Sequence, residues 1–129
     1  MSTEKDWFLL AESNFEAASA LAKRCRPSSV SRAYYAAYSA SHAIVMARGE
    51  TPPARGNWPH EGLGELVRTV LARGQDEWKR QELLQYKQAI NELQSLRILA
   101  DYEPASVFEG QDWISSARRV LALARRCLT

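Results

Sequence analysis

Two arginines and their neighbours are the part of this sequence best suited to chemistry. Arg32 is the single formal charge between Pro27 and Ala47, a stretch otherwise made of alanine, serine, tyrosine, aliphatic residues and His42. A guanidinium in such surroundings is costly unless it is hydrogen-bonded or paired. Farther along, Arg97 and Asp101 lie one helical turn apart, with Tyr102 next to them. Asp101 is the expected carboxylate for Arg32, and a cluster of Arg32, Tyr35, Arg97, Asp101 and Tyr102 is expected to join the two segments. Such a cluster either fixes the register of two helices or takes an anion, because guanidinium groups bind phosphate and carboxylate bidentately.

Other chemistries lack their parts. His42 sits in an aromatic run and reads as a core histidine. His60 follows a breaker-rich loop and is the more accessible of the two, a helix-entry residue or a ligand contact. No cysteine, histidine or carboxylate stands at metal-ligand spacing to either, so no metal site and no cofactor are expected. There is no glycine-rich phosphate loop after a strand and no G-x-S-x-G elbow. The serines at 28, 29, 31, 39 and 41 read as caps and small packing residues.

These side chains must be carried on helices. Apolar residues recur at helical spacing from about Thr3 to Cys25, with Ser2 or Thr3 as cap and Glu4 and Asp6 at the positive dipole end. Arg26-Pro27-Ser28-Ser29 breaks that helix, and a second runs from about Ser28 to Arg48, closed by Gly49. With one charge between Pro27 and Ala47 it has no polar face, so it must be largely surrounded. Residues 50–59 carry three prolines and a glycine and form the one long, mobile loop. A short helix follows from His60 or Leu63 to Ala72, then one from about Asp76 to Tyr102 with Pro104 past its stop, and a last one from about Gly110 to Leu128. No strand-like alternation competes, so the fold class is all-α, an antiparallel four- to five-helix up-and-down bundle.

Bulk properties agree with one small domain over residues 1–129. The chain has 46% hydrophobic residues and a net charge of +2, enough to bury a core without a metal or disulfide. Cys25 and Cys127 fall on apolar stripes and read as small buried hydrophobes in a reduced cytoplasmic protein. No secretory leader and no membrane span are read from the sequence. A pI near 8.7 is too mild to announce a dedicated nucleic-acid binder. The basic groups Lys23, Arg24, Arg26 and Arg118, Arg119, Arg125, Arg126 complement helix C-termini or form a binding face.

The run Ser31-Arg32-Ala33-Tyr34-Tyr35-Ala36-Ala37-Tyr38, His60 after the loop, and Arg97-Ile98-Leu99-Ala100-Asp101-Tyr102 closely resemble the small prokaryotic HEPN-domain proteins, in the same order over nearly the whole chain. The resemblance implies a helical bundle, usually a homodimer, with the family's arginine in a dimer cleft where RNA or nucleotide is handled. It also implies metal-independent ribonuclease toxins neutralised by a partner such as a nucleotidyltransferase, cutting with an arginine followed after four to six residues by a histidine. Arg97 matches that arginine, but Ile98 to Pro104 contain no histidine. Metal-free cleavage needs a group that takes and returns a proton near neutral pH; a phenol titrates near ~10 and an arginine does not titrate there. The expected function is therefore a non-catalytic or weakly active module that binds nucleotide, RNA or a partner protein through Arg32, Tyr35, His60, Arg97 and Tyr102. One alternative is a ribonuclease toxin that uses Arg97 and recruits Tyr102, Asp101 or His60 in place of the usual histidine. A second is a purely structural or interaction protein using exposed Trp58 and Trp113.

Overall fold

The computed structural model describes residues 2–53, 58–73, 78, 80–103, 105, 108 and 110–129. They form α1 (Glu4–Leu21), α2 (Arg26–Ala47), α3 (His60–Arg73), α4 (Arg80–Tyr102) and α5 (Trp113–Leu128), with no strand among them. None of these helices is long and apolar enough to cross a membrane.

Local chemistry sets most of the ends. Thr3 closes a capping box: its N–H donates to Asp6 Oδ2 at 2.8 Å and Asp6 N–H donates back to Thr3 Oγ1 at 3.3 Å. Helix α1 stops at Leu21, before the expected Cys25, because Cys25 is already the extended cap of α2 and its carbonyl accepts the first α2 bond from Ser29 N–H. Pro27 sits in the first turn of α2, where its missing N–H costs nothing. At the other end Gly49, with φ of +87°, closes a Schellman turn through Glu50 N–H to the Val45 carbonyl at 3.1 Å. Asp112 caps α5 by accepting from Ser115 N–H at 3.0 Å, so α5 begins three residues after the expected Gly110. Helix α4 is described from Arg80; Asp76, the expected start, and Pro104, the expected stop, lie outside the described residues. Both expected starts of α3 have a basis, since His60 opens a turn, Glu61 and Gly62 leave helical geometry, and the helix proper resumes at Leu63.

Helix α2 is the hub. It packs against all four other helices, and Ala33, Ala36, Ala37, Ala40, Ile44 and Val45 are fully buried. Alanines let neighbouring backbones approach closely, so one helix can be enclosed by several. Contacts fix the directions: Ser29 meets Ala18, Arg32 meets Asn14 and His42 stacks on Trp7, so α1 and α2 are antiparallel. Ser41 meets Tyr86 and Ser31 meets Asp101, so α2 and α4 are antiparallel; Glu82 meets Arg126 and Glu92 meets Ser116, so α4 and α5 are too. The order is up, down, up, down, with α3 packed against α2 and α4.

Three sequence expectations change. Cys25 is exposed, its thiol 3.2 Å from Ser28 Oγ, because the earlier end of α1 leaves it at the turn rather than on the stripe; Cys127 is only partly buried. Trp58 and Trp113 are both buried, which removes the surfaces that the interaction-protein reading used. The loop is not loose at its exit, where Trp58 is packed in; residues 54–57 lie outside the described residues.

Candidate functional site

The site grows from one ridge of α2. Tyr34, Tyr38 and His42 are spaced four apart and therefore stack along one face, and each holds the segment 58–60. Tyr38 Oη–H donates to the Trp58 carbonyl at 2.6 Å, and Trp58 N–H donates to His42 Nε2 at 3.1 Å. Tyr34 Oη lies 2.5 Å from His60 Nδ1. The His60 ring stacks on Tyr38 with centroids 4.1 Å apart and meets Tyr35 edge-on at 5.9 Å. Three hydrogen bonds thus bring the histidine that opens α3 onto the middle of α2.

Helix α4 supplies the charge. Arg97 Cζ lies 5.0 Å from the centre of the Tyr34 ring, a cation–π contact, and Nη1 donates to Asp101 Oδ2 at 3.3 Å. Asp101 Oδ1 in turn accepts from Ser31 Oγ at 3.5 Å. Arg97 Nε is buried and has no hydrogen-bond partner among the described residues. The guanidinium is positioned by the ring and the carboxylate yet leaves donor capacity unused.

Electrostatics assign the protons. Burial pushes the Tyr34 phenol up to about 12, with Arg97 pulling the other way, so it keeps its proton. Burial first, and the Arg97 charge second, hold the His60 ring below its ordinary 6.5. His60 is then neutral near pH 7, with one ring nitrogen protonated and Nδ1 hydrogen-bonded to the Tyr34 hydroxyl. Buried His42, stacked on Trp7, is pushed down to about 4 by its burial. Its Nε2 accepts from Trp58, so its proton lies on Nδ1, which has no partner among the described residues. The expected satisfied core histidine is only half satisfied.

The expected site residues separate into three groups. Arg97, Tyr35 and His60 converge on Tyr34, with Asp101 behind Arg97. Arg32 differs from expectation: it is exposed, its Nη1 donates to Asn14 Oδ1 of α1 at 3.1 Å, and Asp101 pairs with Arg97 instead. The reason is geometric, because Ser31, not Arg32, faces Asp101, and residues adjacent on a helix point about 100° apart. Arg32 still borders an open depression that it shares with Ser31 and Asp101. Tyr102 projects into solvent at 81% exposure and makes no side-chain hydrogen bond among the described residues. Sequence reasoning passed over Tyr34, which bridges Arg97 and His60; its place four residues before Tyr38 on the aromatic ridge was the available signal. No group of three or more histidine, cysteine or acidic side chains among the described residues could hold a metal ion.

A family model for the HEPN domain matches residues 4–128. No curated protein and no solved structure gives a match.

Proposed function

From the premise that this chain belongs to the HEPN-domain family, we propose that it binds a phosphate-bearing ligand, single-stranded RNA or a nucleotide, along the strip Arg32, Tyr35, His60 and Arg97. The observation that carries this reading is Arg97, a quarter exposed, seated over Tyr34 and bonded to Asp101, beside an exposed tyrosine and the neutral His60 ring. Guanidinium forks take phosphate oxygens, and an exposed tyrosine ring offers a stacking face for an unpaired base. The chain acts as a homodimer in this reading, with exposed Ile98 and Tyr102, one turn apart on α4, at the edge a second copy covers. Binding of a fluorescent single-stranded RNA should weaken about tenfold or more in Arg97→Ala, the size expected for losing one charged hydrogen-bonding group, while thermal unfolding shifts little. Unchanged affinity in a folded variant rejects the strip.

A second reading, metal-independent RNA cleavage, is favoured by one observation: the family's missing imidazole is supplied at the same cluster by His60 from another element. Its Nδ1 is occupied by Tyr34, which leaves Nε2 as the ring nitrogen that would have to exchange a proton with the substrate. Purified protein incubated with RNA decides between the two: cleavage abolished by His60→Ala supports the enzyme, and intact RNA supports the binding module.

A further inference from the structure

Behind the His60 and Tyr34 rings lies a small sheltered pocket between α2, α3 and α4 that the strip does not use. Tyr34 and Tyr38 wall it, and its remaining polar lining includes His60, Lys87, Asn91 and Gln94. The tyrosine hydroxyls are committed to His60 and to the Trp58 carbonyl. The Ser41 hydroxyl is held by Tyr86, and the groups left to address a guest include an ammonium and two carboxamides, all three of which can donate. No described carboxylate lines the pocket. Glu65 does reach Lys87 Nζ at 3.4 Å, but it is more than half exposed and is shared with Arg68 at 3.2 Å, so the group of three keeps a net positive charge. Size narrows the guest further. The cavity measures about 40 Å³, against roughly 10–15 Å³ for one water. It admits a group the size of a phosphate and excludes a nucleobase.

We infer that this pocket takes the terminal phosphate monoester of the strand or nucleotide whose remainder lies on the Arg97 strip, so that the protein prefers phosphorylated ends. The inference rests on the binding reading above, since Tyr34 and His60 form the shared wall between strip and pocket. An internal phosphodiester carries two ester oxygens with chain continuing from both, which a pocket of this volume, open on one side, does not accommodate. A monoester carries more charge and ends in three free oxygens suited to several donors.

The test uses the whole chain and one short RNA in three forms, with a 5′-phosphate, with a 3′-phosphate and with hydroxyls at both ends, and separately inorganic phosphate. One phosphorylated form should bind about tenfold or more tighter than the hydroxyl-ended RNA. Lys87→Gln and Asn91→Leu, both at partly or fully exposed positions, should each remove that advantage without changing affinity for the hydroxyl-ended RNA, which Arg97→Ala alone weakens. Equal affinity for all three RNAs overturns the pocket and leaves the strip standing, as does an advantage that survives both pocket variants. If no RNA binds, the strip reading fails, and calorimetry with inorganic phosphate decides the pocket separately. Lys87-dependent phosphate binding upholds it as a site for the free ion, and no heat of binding overturns it.

Discussion

Arg97 shows how much a single side chain depends on its supports. The Tyr34 ring and Asp101 hold it from two sides, so its fork is already positioned, and the proposed binding would cost it less entropy. His42 is the other residue with a measurable signature. Its folded value of about 4 lies below the ordinary 6.5 because burial disfavours the charged ring. Between those values the unfolded chain binds the proton and the folded chain does not, so stability rises with pH. The contribution is complete above about 6.5 and is lost as pH falls through 4, in total about 3 kcal/mol. Urea midpoints measured from pH 7 to pH 4 should therefore fall on acidification. His60, also lowered, adds a slope of the same sign. In His42→Gln, which keeps an acceptor for Trp58 N–H, the profile should be flatter; an unchanged slope removes His42 as the cause.

Among the elements, α2 carries the greatest constraint, and Ser29 is where it can be read. Its hydroxyl donates to the Ala18 carbonyl at 2.6 Å and accepts from Trp113 Nε1 at 2.8 Å, tying α2 to α1 and α5 at a fully buried point. Ser29→Ala leaves the indole N–H and the carbonyl without that partner, which should cost about 2–3 kcal/mol by the usual penalty for a buried unsatisfied group. Chemical denaturation with an unchanged m-value measures it. A loss below about 0.5 kcal/mol would mean that the helices shift to make the bonds elsewhere. The spacing of Tyr34, Tyr38 and His42 belongs to this scale too, because four-residue steps alone put three hydrogen-bonding rings in line to receive segment 58–60.

At the scale of the molecule, a net charge of +2 is spread thinly, so the proposed ligand would be drawn by local arrangement rather than by a basic face. Of the arginines on α5, Arg118, Arg125 and Arg126 lie over Phe15, Phe8 and Trp78, and two of these pair with Glu12 and Glu82. Their aromatic contacts and ion pairs give most of this basic cluster a packing role. The proposed homodimer is decided at this scale. Sedimentation equilibrium should give twice the 14.6 kDa chain mass, and Ile98→Glu, placed at a 46% exposed apolar position, should return it to one chain mass. A native mass of one chain for the unmodified protein rejects the dimer.

The helices and their order were legible in the sequence because caps, breakers and apolar spacing act within a few residues: Thr3 with Asp6, Pro27 and Gly49 mark their ends by local chemistry alone. The burial of α2 was legible for a related reason, since a helix with one charge over twenty residues has no face to offer water. Family membership was legible in the order of the Ser31-Arg32 and Arg97-Tyr102 runs. The pairings were not. Whether Asp101 met Arg32 or Arg97 depended on a rotation of about 100° between adjacent residues of α2, and tertiary packing turned Ser31 toward it instead. The meeting of His60 with Tyr34, twenty-six residues apart, was likewise decided by packing, because no local rule sets where a loop lands. The sequence could say that an arginine lacked its histidine; only the fold brought another one beside it.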